Sequence, residues 1–206
     1  MALKDQESIY KKYFREEMFP SMFCPGCGIG QIMNYTARAL EDAGADMNEL
    51  LLVSGIGCSS RIPAYFKASG IHTTHGRALA FATGIKLSNP KLKVVVFMGD
   101  GDCIGIGGNH FLHAIRRNID LTVIVINNFT YGMTGGQVSP TTLHNSYSTT
   151  TRGGNQEYPL SISRLANLLS APYVARWTSA HPVQAINSIR KARSEEHTSE
   201  LQSLLI

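Results

Sequence analysis

The sequence predicts an α/β fold built on a parallel sheet, and two observations carry that expectation. Short apolar runs, Leu50–Ser54, Lys93–Met98 and Leu121–Ile126, alternate with helix-length segments, in the first of which the apolar residues recur near every 3.6 positions. Within each run the apolar residues are consecutive rather than alternate, which is the pattern of a strand covered on both faces.

Taken in order, a helix is predicted from Gly28 to Ala43, with Ile32, Met33, Ala39 and Leu40 on one face and Gly44 closing it. The strand Leu50–Ser54 runs into Gly55-Ile56-Gly57. A second helix covers Arg77–Leu87 and is stopped by Asn89-Pro90, because the residue before proline is pushed out of the helical region. The strand Lys93–Met98 ends at Gly99, a helix follows over Asn109–Arg117, and Leu121–Ile126 ends at Asn127-Asn128. Phe129 to Pro159 is a long polar segment with little period. Helix Ile162–Leu169, strand Tyr173–Trp177 and helix Val183–Lys191 complete the alternation, so one domain is expected over 1–192.

Composition bounds the function classes. The chain has 206 residues, 43% hydrophobic and 17% charged, enough to bury a core and the reverse of a disordered composition. No apolar run approaches the roughly 20 residues of a membrane span. The start, Met1-Ala-Leu-Lys-Asp-Gln-Glu-Ser8, has no apolar secretory region, so a cytoplasmic location is expected. The formal charge is +4. The basic residues are scattered, which argues against a nucleic-acid partner. Four cysteines in such a chain point to metal or redox chemistry rather than a disulfide framework. The final stretch, Arg193 to Ile206, changes character abruptly and resembles the translation of a sequencing-library adapter. It is treated as an assembly artefact outside the fold, the natural chain being expected to continue past Ala192.

In parallel sheets ligands bind beyond the carboxyl ends of the strands. There the sequence has placed Gly55-Ile-Gly-Cys-Ser-Ser60, Gly99-Asp-Gly-Asp102 and Asn127-Asn128. Asp100 offers a hard carboxylate oxygen and Asn128 a neutral amide oxygen from the neighbouring strand end. The flanking glycines leave backbone N–H groups open to an anion. That combination suits a Mg²⁺–diphosphate clamp; the plain alternative is a pair of tight strand-to-helix turns. A nicotinamide site fails on detail, since the sixth position of the glycine fingerprint is Ile104 counted from Gly99 and Ser60 counted from Gly55.

Cys24-Pro-Gly-Cys27 is the second constellation, with Cys58 in the Gly55 loop. Iron–sulfur, zinc and purely structural readings all stand on spacing. A thioredoxin-type pair is disfavoured because no strand precedes the motif, Glu16 to Phe23 being polar and irregular. Cys103 reads as a small buried hydrophobe. His110 and His113 have a metal-like spacing but no convergent acids, and His72 with His75 is an equally weak zinc hint. Arg61 suits either a substrate carboxylate or an ion pair at a surface or subunit boundary.

The spacing from Gly99-Asp100-Gly101 to Asn127-Asn128 resembles the thiamine diphosphate motif. The resemblance implies that Asp100, Asn128 and the Thr130 carbonyl hold Mg²⁺ while Gly101 and Asp102 touch the diphosphate. Five ordered motifs extend it: Phe23-Cys-Pro-Gly-Cys-Gly28, Ser54-Gly-Ile-Gly-Cys-Ser-Ser-Arg-Ile-Pro63, His72-Thr-Thr-His-Gly-Arg-Ala78, Gly99-Asp-Gly-Asp102 and Tyr131-Gly-Met-Thr-Gly-Gly-Gln137. Over about Glu17 to Ala192 the chain resembles the β subunits of 2-oxoacid:ferredoxin oxidoreductases, most closely the 2-oxoglutarate type. This implies the parallel-sheet thiamine diphosphate-binding fold. It also implies a 4Fe–4S cluster on Cys24, Cys27 and Cys58, with Ile56, Gly57, Cys58, Ser59, Thr73, Thr74, His75, Gly76, Gly132 and Met133 lining the cofactor.

The family's fourth cluster cysteine lies further towards the C-terminus and is absent from this chain. The thiamine-activating glutamate belongs to an α subunit, so the expected partners are that subunit, ferredoxin, a 2-oxoacid and coenzyme A. The expected reaction is oxidative decarboxylation of the 2-oxoacid to its acyl-CoA. Two rivals remain, a non-redox thiamine decarboxylase subunit and an iron–sulfur electron-transfer module without catalysis of its own.

Overall fold

The computed structural model describes residues 9–194 and 201–205. Helical turn 9–13 leads through the cysteine turn into α1 (Ile29–Asp42). There follow β1 (Leu50–Ser54), α2 (Ile62–Tyr65), β2 (Ser69–His72), α3 (Ala78–Ser88) and β3 (Lys93–Gly99). After a π-helical turn (Gly101–Ile106) come α4 (Gly108–Arg116), β4 (Leu121–Ile126) and the two-residue hairpin strands β5 (Thr130–Tyr131) and β6 (Gln137–Val138). Helix α5 (Ile162–Leu168), β7 (Tyr173–Arg176), α6 (Pro182–Ser194) and β8 (Leu201–Leu205) complete the described chain.

Six strands pair in parallel in the order β2-β1-β3-β4-β8-β7. Every residue of β1 and β4 is buried, as their unbroken apolar runs require. Successive side chains of a strand point to opposite faces, and the core divides accordingly. Leu50, Leu52, Val95, Phe97 and Ile124 pack beneath α1 and α6; Leu51, Val53, Val96, Met98 and Val123 pack beneath α3, α4 and α5. Strand β2 lies on one side of β1 and β3 on the other, so the chain reverses direction across the sheet at the β1/β3 boundary. The loops leaving those two strands part there and open a crevice.

Helix α2 and the β5–β6 hairpin were not expected, and three further features differ from the sequence expectation. Strand β2 was not foreseen, because Ser69-Gly-Ile-His72 is a mostly exposed edge with no apolar run. The segment Glu16 to Phe23, expected to be irregular, contains a 3₁₀ turn over Glu16–Met18. The third lies in 193–206, expected outside the fold, of which 195–200 and 206 fall outside the described residues. The backbone of Leu201–Leu205 forms a strand with Leu121↔Leu201 and Val125↔Leu205 on one side and Arg176↔Leu205 on the other. The facing edges of β4 and β7 carry backbone donors and acceptors that need partners, and a short extended run satisfies both.

Candidate cofactor site

A cleft of about 160 Å³ opens at the carboxyl ends of β1, β3 and β4. The Gly55 loop forms one wall (Ile56, Gly57, Cys58, Ser59), the π-turn forms the floor (Asp100, Gly101, Asp102), and the β5 hairpin forms the other wall (Tyr131, Gly132, Met133). His75, Asn128 and Thr130 also face it. The structure thus brings most of the sequence-predicted residues to one crevice. Thr73, Thr74, Gly76 and Arg61 stand outside its wall. Thr73 braces β2 to β1, its N–H and hydroxyl both donating to the Ser54 carbonyl. Arg61 is exposed, with its charge felt at Cys58.

Asp100 is 1% exposed. Its Oδ2 accepts hydrogen bonds from Ser139 Oγ and Thr141 Oγ1, both at 2.5 Å. Oδ1 is turned towards the end of β4. There the Asn128 carboxamide donates its NH₂ to Asp100 Oδ1 at 3.1 Å and to the Thr130 carbonyl at 2.9 Å. Turned over, the amide would present its oxygen beside those two acceptors, an arrangement that only a cation could hold together.

Asp102, two residues on, faces the other way. Oδ1 accepts from Gly76 N at 2.6 Å, His75 Nδ1 at 2.7 Å and Ile56 N at 3.3 Å, while buried Oδ2 has no hydrogen-bond partner. A Cβ on Gly55 would stand 2.1 Å from that oxygen, so glycine is required for the close approach. Burial raises the Asp102 carboxyl pKa, while the Gly76 and Ile56 N–H groups and His75 pull it back down. The diphosphate contact expected of Asp102 therefore narrows to its backbone N–H, in the unsatisfied first turn. His75, paired to that carboxylate through Nδ1, also lines the cleft.

Tyr131 closes the floor. A Cβ on Gly101 would meet its Cε1 at 2.1 Å and one on Gly105 its hydroxyl at 2.3 Å, so both glycines are needed for the ring to lie over the turn. Burial, then the charges of Asp100 and Asp102, raise the Tyr131 pKa. Sequence reasoning missed Tyr131 as a wall of the site, and it passed over Ser139, Thr141 and Thr142 as loop polarity. The one available signal was the density of hydroxyls in Ser139-Pro-Thr-Thr142.

Cys24 and Cys27 form a tight turn in which Cys27 N donates to the Cys24 carbonyl, Pro25 and left-handed Gly26 occupying its centre. Both are exposed, and Cys58 is half-buried beside the cleft. The Cys58 pKa is raised by burial first and then by Cys24 and Cys27, so the three thiols lie within electrostatic reach of one another. Among the described residues, no three His, Cys, Asp or Glu side chains are grouped to hold a single metal ion. A cluster differs because each thiolate takes a different iron. Cys103 is fully buried and its pKa lies well above the ordinary thiol value through desolvation, as the structural assignment expects.

Residues 55–202 match the family described as thiamine pyrophosphate enzyme, C-terminal TPP binding domain. A 2-oxoglutarate synthase subunit KorB from Methanothermobacter marburgensis is 56% identical over 90% of this chain and 65% of its own length. A second KorB, from Methanothermobacter thermautotrophicus, is 50% identical over 98% of this chain and 71% of its own. The chain belongs to the β-subunit family of the 2-oxoacid:ferredoxin oxidoreductases. A solved structure extends the likeness to three dimensions: a 2-oxoglutarate:ferredoxin oxidoreductase from Magnetococcus marinus with 2-oxoglutarate, coenzyme A and succinyl-CoA bound. It superposes with a TM-score of 0.89 at 38% identity, over 95% of this chain and 66% of that one. The chain spans about two thirds of the length of these family members. The thiamine pyrophosphate-binding match over 55–202 spans the crevice loops from Gly55 to Met133. Among the described residues no helix is long and apolar enough to cross a membrane.

Proposed function

We propose that this chain is the cofactor-carrying β subunit of a complex that converts a 2-oxoacid, 2-oxoglutarate in the first instance, and coenzyme A to acyl-CoA and CO₂, passing two electrons to ferredoxin in the cytoplasm. The observation that carries the reading is the convergence of the Asp100 carboxylate, the Asn128 carboxamide and the Thr130 carbonyl at the strand ends, with the amide terminus 3.1 Å from Asp100 Oδ1 and 2.9 Å from Thr130 O. Turned with its oxygen inward, that amide would complete a set of oxygen donors of the kind Mg²⁺ takes. Two carbonyl-type oxygens and one carboxylate leave the remaining positions for diphosphate and water, so the donor set fits the ion. Gly101 and Asp102 offer first-turn N–H groups to the diphosphate.

Thiamine diphosphate, when bound, supplies the nucleophilic carbon and the electron sink for decarboxylation. The protein's own contribution is positional. Asp100, Asn128 and Thr130 hold the ion; Ile56 to Ser59, Gly132 and Met133 line the cofactor together with His75; and Thr73, bonded to Ser54, and Gly76, bonded to Asp102, brace that lining. Arg61 is assigned to the substrate carboxylate or to the subunit boundary.

Cys24, Cys27 and Cys58 are assigned as three ligands of a 4Fe–4S cluster. Cys58 is adjacent to both sites, its Sγ lying 3.9 Å from the point where a Cβ on Gly132 would stand. That adjacency suits transfer of single electrons from the cofactor. The remaining cysteine, Cys103, is fully buried and is not assigned to the cluster. No glutamate lines the cleft, and the activating glutamate is assigned to an α subunit.

The test is anaerobic co-purification with the α subunit, followed by iron, sulfide and thiamine analysis and viologen reduction with a panel of 2-oxoacids and coenzyme A. The expected result is thiamine, iron and sulfide in one complex, with viologen reduced fastest by 2-oxoglutarate. Failure of every 2-oxoacid to reduce viologen in the intact complex would defeat the proposal. Thiamine without iron would leave the non-redox decarboxylase, and iron without thiamine would leave the electron-transfer module.

A further inference from the structure

The turn Ser139-Pro-Thr-Thr142 has no part in the function proposed so far, yet it is tied to both halves of the oxygen cluster. Ser139 and Thr141 are 4% and 1% exposed, and their hydroxyls meet the same carboxylate oxygen, Asp100 Oδ2, at 2.5 Å. A hydroxyl has one proton to give. Thr141 Oγ1 also lies 2.9 Å from Asn127 Oδ1, but the charged oxygen is the nearer and stronger acceptor and takes the proton. Two donors therefore fix Oδ2 and leave Oδ1 as the oxygen turned towards Asn128 and Thr130.

The same turn reaches the end of β4. Thr142 Oγ1 donates to the Phe129 carbonyl at 2.6 Å, and its acceptor side takes Ser139 N at 2.8 Å. Asn128 is thus flanked by two residues, Asn127 and Phe129, that both contact the turn. The turn is held from behind by Asn155, whose Nδ2 donates to the Thr142 carbonyl at 3.1 Å.

We infer that Ser139 and Thr141 are positioning residues for the metal: they choose which Asp100 oxygen binds it and hold the β3 and β4 ends at ligand spacing. The inference rests on the Mg²⁺ reading of Asp100 and Asn128. Partners of metal-binding carboxylates change affinity by roughly 10–100-fold when removed.

The experiment titrates Mg²⁺ into the metal-free complex at saturating thiamine diphosphate, with heat of binding as the readout and circular dichroism as the check on folding. Ser139→Ala and Thr141→Val should each raise the Mg²⁺ dissociation constant by roughly 10–100-fold. Thr141→Ser, which keeps the hydroxyl and loses only the methyl, should stay within about threefold of wild type. Excess Mg²⁺ should restore thiamine diphosphate binding in the weakened variants, which it would not do if the turn were merely damaged.

Asp100→Ala separates the two levels of the argument. If it abolishes Mg²⁺ binding while Ser139→Ala and Thr141→Val stay within twofold of wild type, the positioning role is overturned and the clamp stands. If Asp100→Ala itself leaves Mg²⁺ binding unchanged, the clamp reading falls and takes the inference with it. Should Ser139→Ala not fold, the contrast between Thr141→Val and Thr141→Ser decides alone. Equal affinities in that pair would refute the role.

Discussion

Gly55→Ala is the sharpest single perturbation of the crevice. Gly55 is not in the left-handed region, so the added methyl brings no backbone strain, and the whole effect is a collision. The new Cβ would sit 2.1 Å from Asp102 Oδ2 and 2.4 Å from Oδ1. To reach ordinary contact at 3.4 Å, the carboxylate must retreat by about 1.3 Å. It has nowhere to go without cost, because Oδ1 is held by Gly76 N, His75 Nδ1 and Ile56 N. Hydrogen bonds to a charged group are worth roughly 1.5–3 kcal/mol each, so losing two of the three puts the cost at about 3–6 kcal/mol. In a domain of this size that corresponds to a fall in Tm of roughly 6–24 °C.

Urea unfolding of wild type, Gly55→Ala, Asp102→Ala and the double variant forms a mutant cycle. Asp102→Ala destabilises by itself because it orphans buried N–H groups, but it also removes the atoms that Gly55→Ala strikes. The double variant should therefore be more stable than the sum of the singles allows, by about 2 kcal/mol or more. A cost for Gly55→Ala below about 1 kcal/mol, or strict additivity across the cycle, would refute the reading of Asp102 as a pinned brace.

Three further outcomes are expected. Asp100→Ala should abolish Mg²⁺-dependent thiamine diphosphate binding while leaving the cluster's visible absorbance; loss of both together would mean that the two sites are not separable. The Glu41 pKa is lowered first by its hydrogen bond from Lys12 and then by that from Tyr13. Its contribution to stability is thus complete above the ordinary carboxylate pKa and fades as pH falls through the lowered one, so Glu41→Gln should flatten the acid limb of a stability–pH curve, and an unchanged limb would contradict the pairing. Reads across the codons for Ala192 and Arg193 in the source DNA should show an adapter junction. An unbroken natural reading frame there would remove the adapter assignment.

Legibility in the sequence followed the range of the interactions. Strands β1, β3 and β4 could be read directly, since a strand covered on both faces is apolar at every position and needs no partner to be recognised. Strand β2 could not, because its pairing with β1 is made by backbone groups of a Ser-Gly-Ile-His run that is mostly exposed. The cofactor loops were visible as glycine-rich departures from strand ends. What holds those loops together was not visible: Asp100 is fixed by residues 39 and 41 positions away, and Asp102 by residues 26, 27 and 46 positions away. No local period records such contacts.

One part of that bracing follows from helical spacing alone. Asp100 leads into the turn and Asp102 lies within its first residues. Residues two apart on a helix do not share a face; at about 100° per α-helical residue they point roughly 200° apart, and a π-turn alters this little. Two carboxylates at that spacing cannot both serve one anion, and the repulsion between carboxylate and diphosphate disfavours it further. The Gly99-Asp-Gly-Asp102 loop is better understood as a two-sided staple, with one carboxylate turned to the β4 side and its hydroxyls, the other to the β1 side and its N–H groups. The glycines at Gly55 and Gly101 leave room on either flank, for the Asp102 carboxylate at one and the Tyr131 ring at the other. The crevice is therefore rigid across the point where the sheet reverses its strand order. A site that gains its catalytic power by positioning needs that rigidity, since its ligands come from strand ends that no covalent link holds together.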